Sequence, residues 1–351
     1  MAIPRKVGVL TFHRCINYGS YWQARCLVEG LKARGLDAEL LDHHCDDIER
    51  AELRCAFQPK LPERTPRLDL RAYGAKTRLF LNAFRRLPLS RRFSLHRPDQ
   101  AGAYDAIVVG SDEVWNFRHP WYGSKPIFFG EGLRADRLVS YAASFGNHSA
   151  WDGIHPDWAA KLGNFSAVSV RDENSRHLVR GGSGIEPQLV LDPCLQFPRT
   201  TDGRSQAGDY ALVYGHGFPA WLQAAVQHWS RARGIRLLSG RYVNQCADEQ
   251  DVAAGPVEFA SLMAGAQAVV TNFFHGCVFA LLHGKPWAAH PSDYRSIKIP
   301  DLARLVGEED RLVDEGSPIE ELLSAPVSAA VQRRIREQRQ RSDAFLDAAL
   351  A

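Results

Sequence analysis

The sequence contains no C-x-x-C pair. Its seven cysteines (Cys15, Cys26, Cys45, Cys55, Cys194, Cys246 and Cys277) are odd in number and scattered, which argues against a disulfide framework and against a zinc site, and most are expected to be reduced and inert. No other metal-ligand cluster is visible. Charge of one sign is lacking too: 43 Lys and Arg face 40 Asp and Glu, an excess too small to argue for a nucleic-acid partner held by phosphate neutralisation, so any preference for an anion must be local. The chain also has no long apolar run near its start. Val7 to Phe12 is broken by His13 and Arg14, too short for a signal-peptide core or a membrane span, and the expectation is a cytoplasmic protein. A G-x-G-x-x-G fingerprint and an internal repeat are likewise missing.

What is present is an alternation of short apolar runs and amphipathic stretches. At 351 residues and 45% hydrophobic content the chain exceeds what one core usually serves, so two domains are expected. Val7–Phe12 reads as a strand, Ser20–Arg34 as a helix closed by Gly35, and 38–42 as a second strand, together a βαβ unit. Further strand-like runs at 105–110, 138–143, 166–170 and 189–192 suggest a six-stranded first domain over residues 1–200. The polar, Gly-containing stretch 198–208 reads as a linker. A second α/β pattern follows over 208–325, with strands at 210–214, 235–239, 267–271 and near 286–289 and helices at 219–233, 256–265 and 275–284. The closing segment, 326–351, has helical spacing and is expected to pack back on the first domain. The class is α/β, with two Rossmann-like domains.

Four strand-to-helix turns carry polar residues where open parallel sheets bind ligands. The turn Asn17-Tyr18-Gly19-Ser20 could present helix-start N–H groups to an anion or a sugar hydroxyl, Gly19 allowing close approach; it equally suits an ordinary N-cap by Ser20 with Asn17 satisfying the turn. Asp112 and Glu113 follow a fully apolar strand, placed to meet a substrate hydroxyl, although one of them is expected only to cap a helix. Arg171 ends another strand and its fork of donors suits a carboxylate or phosphate; pairing with the adjacent Asp172 or Glu173 on the surface is the alternative. His275, beside Gly276 in Thr271-Asn272-Phe273-Phe274-His275-Gly276, sits where a helix start meets an apolar strand. There it is expected to move protons or orient an anion in an interdomain cleft, with Lys298 adding a positive charge. A basic run, Arg85, Arg86, Arg91, Arg92 and Arg97, reads as solvated surface or as a patch for a membrane or anionic acceptor.

Taken together, LTFHRCINYGSYWQ, YDAIVVGSDEVWN, SYAASFG, SVRDENS, LVLDP and VTNFFHGCVFALLHGKPW, followed by Lys298, resemble the polysaccharide pyruvyl transferase family over about residues 7–300. The resemblance implies a glycosyltransferase-B-like fold of two Rossmann-like domains. It also implies phosphoenolpyruvate as donor and a sugar as acceptor, the latter on a cell-surface polysaccharide or its lipid-linked precursor, with a peripheral membrane contact in the lipid-linked case. By the family pattern Arg171 and Lys298 would hold the donor's carboxylate and phosphate and His275 would transfer the proton; Gly276 and Ser144 are further donor-side candidates, and Asp112 is the next candidate for the proton. Asn17, Tyr18, Gly19, Ser20 and Glu113 would line the acceptor side. The implied chemistry is ketal formation and requires no metal or cofactor. Where the family often has Asp and Ser before Phe-His-Gly, this chain has Asn272 and Phe273, which bears on the acceptor. A glycosyltransferase-B enzyme using a nucleotide-sugar is the rival enzyme reading, disfavoured because no acidic pair stands ready for a ribose in 239–290. A catalytically silent binding module is the rival outside enzymes, and the presence of Arg171 and His275 argues against it.

Overall fold

The computed structural model describes residues 5–60, 62–199, 208–292 and 297–351. The chain divides into two units: unit 1 is Met1–Ala56, Phe84–Pro198 and Glu337–Ala351, and unit 2 is Phe57–Ala83 and Arg199–Arg336. Most of the predicted linker at 198–208 lies outside the described residues, as do Tyr294, Arg295 and Ser296.

Unit 1 opens with β1 (Lys6–Leu10), α1 (Tyr18–Ala33) and β2 (Asp37–Leu40), followed by β3 (His43–His44) and α2 (Asp46–Phe57), whose last residue falls in unit 2. After the segment belonging to unit 2 come β4 (Phe93–Ser94), β5 (Ala103–Val109) and β6 (Arg134–Ser140). The main sheet is parallel, in the order β2-β1-β5-β6, with Val9 level with Leu40 on one side and Val108 on the other. Val7, Val9, Val108 and Val109 are fully buried, as strands covered on both faces require.

The expected six strands are instead four plus a separate parallel pair, β7 (Ser169–Val170) and β8 (Gln188–Leu189), linked to β6 and its continuation by the isolated bridges Val139–Ala167 and Ala143–Val170. The physical reason is two serines. Ser169 N–H donates to Ser140 Oγ (2.9 Å) and Ser169 Oγ donates to the Ser140 carbonyl (2.8 Å), so side chains take over from the backbone ladder at that point. Unit 1 is completed by α4 (Pro156–Lys161), α5 (Glu173–Ser183) and α6 (Pro193–Gln196).

Unit 2 contains a five-stranded parallel sheet in the order β11-β10-β9-β12-β13, built from β9 (Tyr210–Tyr214), β10 (Arg236–Gly240), β11 (Glu249–Asp251), β12 (Val269–Thr271) and β13 (Trp287–Ala289). Its helices are α7 (Ala220–Arg233), α8 (Pro256–Gly265), α9 (Phe274–Leu282), α10 (Lys298–Val306) and α11 (Ile319–Ser324), and its core gathers Ala211, Val213, Leu222, Val226, Trp229, Val270 and Ala288. The edge strand β11, Glu-Gln-Asp, has no apolar signal and exists by pairing with β10.

Residues 57–83, expected in the first domain, belong to unit 2. They include most of α3 (Leu70–Phe84), whose Tyr73, Lys76, Thr77 and Phe80 form a buried i, i+3, i+4, i+7 stripe. Tyr73 lies beside Tyr242 and Arg241; burial first, then Tyr242, pushes its hydroxyl up to about 12. The last helix, α12 (Ala329–Leu350), begins in unit 2 and ends in unit 1, where Arg34 pairs with Asp343 (2.7 Å) and Asp347, and Ser342 Oγ accepts from the Leu191 N–H (3.0 Å). No helix among the described residues is long and apolar enough to cross a membrane.

Candidate functional site

In unit 1 the polar residues collect beyond the carboxyl ends of β1, β5, β7 and β8, where a parallel sheet leaves room for them. Gly110, directly after β5, has φ +116°, and a Cβ there would lie 2.3 Å from the Tyr141 carbonyl oxygen, so only glycine fits the turn that delivers Asp112. Asp112 itself has φ +79° and is held at both carboxylate oxygens. Ser20 Oγ donates to Oδ2 (2.7 Å), and Arg171 Nη2 donates to Oδ1 (3.2 Å). The other arm of Arg171, Nη1, donates to Asp192 Oδ2 at 3.0 Å.

This geometry corrects several expectations. Arg171 does not pair with Asp172 or Glu173 on the surface, nor does it offer an open fork: its side chain is 2% exposed and lies between Asp112 and Asp192. Burial alone would lower its pKa, but the two carboxylates outweigh that and raise it, so it stays charged. A buried guanidinium needs such partners, because an uncompensated one is too costly. Neither Asp112 nor Glu113 caps a helix, since 110–125 runs in turns; Glu113 Oε2 accepts from Asn116 Nδ2 (2.8 Å).

Ser20 is not the N-cap of α1. Asn17 is, its Oδ1 accepting from the Gly19 N–H (2.9 Å), while Tyr18, Gly19 and Ser20 lie buried in the first turn. Ser144 is fully buried and supports α5: its Oγ donates to Asp172 Oδ2 (2.6 Å) and accepts from the Gly146 N–H, while Asp172 Oδ1 caps the helix through the Ser175 N–H (2.7 Å). That occupation leaves Ser144 no surface for a donor.

A second buried cluster at the ends of β1 and β2 was not foreseen. His13 Nε2 lies 3.0 Å from Asp42 Oδ1, and Arg14 donates to both oxygens of Asp42 (2.6 and 2.7 Å). Burial would raise the Asp42 pKa, but Arg14 and His13 together hold the carboxyl well below the usual range. His43 Nε2 donates to the Thr11 carbonyl (2.9 Å), and the ring is pushed down to about 3 by burial and then by His13, so it is neutral near pH 7. The available signal was the juxtaposition of two strand ends, Thr11-Phe12-His13-Arg14 and Leu40-Leu41-Asp42, on neighbouring strands.

In unit 2, His275 is 9% exposed in the first turn of α9. Among the described residues no acidic side chain stands in that turn and none caps the helix start, where the positive end of the helix dipole lies. Thr271 Oγ1 ties the approach by accepting from the Phe273 N–H (3.0 Å) and donating to the Tyr214 carbonyl (2.6 Å). Lys298 is the first residue of α10 and is 7% exposed.

The unfamiliar Phe273 has a structural employment: its ring stacks with Tyr214 (4.9 Å) and Tyr242 (5.6 Å), and the Arg241 guanidinium lies 5.7 Å from its centre. Asn272 Nδ2 donates to the His216 carbonyl at 2.7 Å. Gly276 has no room for a side chain, a Cβ falling 2.1 Å from Thr271 Oγ1. Gly276→Ala is therefore expected to cost about 1–3 kcal/mol of stability in urea unfolding; an unchanged midpoint would show that Thr271 simply turns away.

The arrangement within each unit thus offers an oriented carboxylate on one and an imidazole and an ammonium at helix starts on the other. Among solved structures, the chain is similar over 96% of its length to S. aureus MnaA in a co-structure with UDP (12% identity, 91% of that chain, TM-score 0.49). It is also similar over 95% to the E. coli heptosyltransferase WaaC with ADP (16% identity, 99% of that chain, TM-score 0.43). A third is the Streptomyces sp. SF2575 glycosyltransferase SsfS6 complexed with thymidine diphosphate (98% of both chains, 13% identity, TM-score 0.44). No curated protein matches the chain. The sequence model described as polysaccharide pyruvyl transferase matches residues 17–293, a span that takes in Asp112, Arg171 and His275 with the turns that present them. The chain belongs to the polysaccharide pyruvyl transferase family.

Proposed function

We propose that the protein moves the pyruvyl group of phosphoenolpyruvate onto a sugar, forming a cyclic ketal, on a cell-surface polysaccharide or its lipid-linked precursor. The observation that carries this reading is the family match across 17–293, which includes a histidine in a helix's first turn, at its positive end. In the proposed reaction the methylene carbon of the donor takes a proton and becomes methyl. A sugar hydroxyl adds to the cationic carbon, and a second hydroxyl displaces inorganic phosphate, its proton leaving with the phosphate. Donor and diol are thereby converted to ketal and phosphate with no other reactant.

His275 supplies the proton to the methylene carbon, and Asp112 takes the proton of the attacking hydroxyl. Lys298 and the α9 start, where Gly276 lets Thr271 pack closely, counter the donor's negative charge. Arg171 holds Asp112 in place; to meet the donor itself it would have to exchange one of its two carboxylates for the incoming anion. Asn17, Tyr18, Gly19, Ser20 and Glu113 shape the acceptor side around Asp112.

The test is incubation with phosphoenolpyruvate and a panel of galactosides, mannosides and N-acetylmannosamine lipid intermediates, read by mass spectrometry and phosphate release. The expected result is a pyruvyl adduct with one phosphate released per adduct. Absence of any adduct, together with a thermal midpoint raised by nucleotide-sugars and not by phosphoenolpyruvate, would overturn the proposal in favour of glycosyl transfer.

A further inference from the structure

Charge is far from evenly spread. Residues 60–97 hold eleven Lys and Arg with only Glu63 and Asp69 as acids, whereas the whole chain holds 43 against 40, so the remainder is net acidic. Part of that run is internally paired: Arg92 with Glu49, and Arg97 with Asp99. Arg64, Arg67, Arg71 and Arg78 are exposed and have no ion-pair partner among the described residues.

Their placement is ordered. Thr65 N–H donates to Gln58 Oε1 (2.8 Å), and a turn closes through Asp69 N–H to the Pro66 carbonyl (3.0 Å) and Tyr73 N–H to the Asp69 carbonyl (3.1 Å). Its apex holds Leu68 out at 92% exposure, flanked by Arg67. Along α3 the buried stripe Tyr73, Thr77, Phe80 is opposed by an exposed one, Arg71, Arg78 and Leu81, the last 42% exposed.

We propose that the loop 62–69 and the outward stripe of α3 form a docking surface for an anionic lipid bilayer. Arginines flanking an exposed leucine match a membrane interface, where the cations meet anionic headgroups and the apolar side chain enters the acyl boundary. A hydrated polyanion would use the arginines but leave Leu68 and Leu81 idle in water. The inference stands independently of pyruvyl transfer, because its probe is a bare vesicle.

The experiment is co-sedimentation of the full chain with phosphatidylcholine vesicles, either pure or containing about 30% phosphatidylglycerol, at low and high salt. Binding is expected only to the anionic vesicles and is expected to weaken as salt rises. Reversing Arg67, Arg71 and Arg78 to Glu is expected to weaken it by on the order of a hundredfold or more, at roughly fivefold per charge lost. Leu68→Ser is expected to weaken it by roughly tenfold while leaving the thermal midpoint unchanged. No sedimentation with anionic vesicles, or equal binding to neutral ones, overturns the proposal. So does a Leu68→Ser protein that binds vesicles like the wild type while soluble heparin competes fully, which would assign the stripe to a polyanion.

Discussion

His275→Gln is expected to fold normally, to bind phosphoenolpyruvate within about tenfold of the wild type, and to lose on the order of a hundredfold or more in turnover, the usual scale for a general acid or base. Gln keeps a polar group of similar reach in the first turn of α9 but cannot carry a proton between partners. The approach to α9 is tied by the Thr271 hydroxyl and by the Phe273 stack, both of which Gln leaves in place, which is why the substitution is expected to spare the fold. Calorimetric titration and steady-state rates separate the two effects. A His275→Gln enzyme with wild-type turnover and pH profile would leave His275 as a structural residue, and the proton would pass to Asp112.

Removing the guanidinium of Arg171 is expected to give the largest stability loss. In Arg171→Met the carboxylates of Asp112 and Asp192, whose side chains are 11% and 1% exposed, lose the guanidinium that joins them and meet an apolar group in its place. Breaking a buried pair from one side costs about 3–5 kcal/mol. The pH dependence follows from linkage. Without Arg171 the folded-state pKa of these buried carboxyls rises above the unfolded value near 4, so the native state binds protons that the unfolded chain does not, and the variant gains stability as pH falls from about 7 toward 5. Urea unfolding at pH 7 and pH 5 is expected to show the deficit shrinking, and Arg171→Met with Asp192→Asn is expected to recover part of it at pH 7. A deficit that is large and independent of pH would mean that lost packing, and not the stranded carboxylates, is its cause.

The turns that carry Asp112, Arg171 and His275 were legible in the chain because each follows a short apolar strand, and parallel strands deliver polar turns to one edge of a sheet. What surrounds them was not. The partners of Arg171 lie 59 and 21 residues away, and although Asp172 and Glu173 read as suited to a helix's first turn, nothing in Ser-Val-Arg-Asp-Glu indicates that distant aspartates hold the guanidinium. Asn17 took the cap of α1 because Ser20 was committed to Asp112, again a distant partner. The strand β11 could not be read from Glu-Gln-Asp, since an edge strand earns its ladder from its neighbour and not from its own apolar pattern.

By itself, then, the sequence determined the α/β alternation, the positions of the strand-end turns and the family, all of which are written in local periodicity and in motifs of contiguous residues. Only the tertiary structure decided that 57–83 joins the second unit, that β7 and β8 stand apart from the main sheet, that Ser144 serves a helix cap, and that Arg171 is held by Asp112 and Asp192. The physical reason is common to these. Burying a charge or an unpaired backbone group is costly enough that the chain satisfies it with whatever partner the fold brings near, and that partner is chosen by topology and not by nearness in sequence.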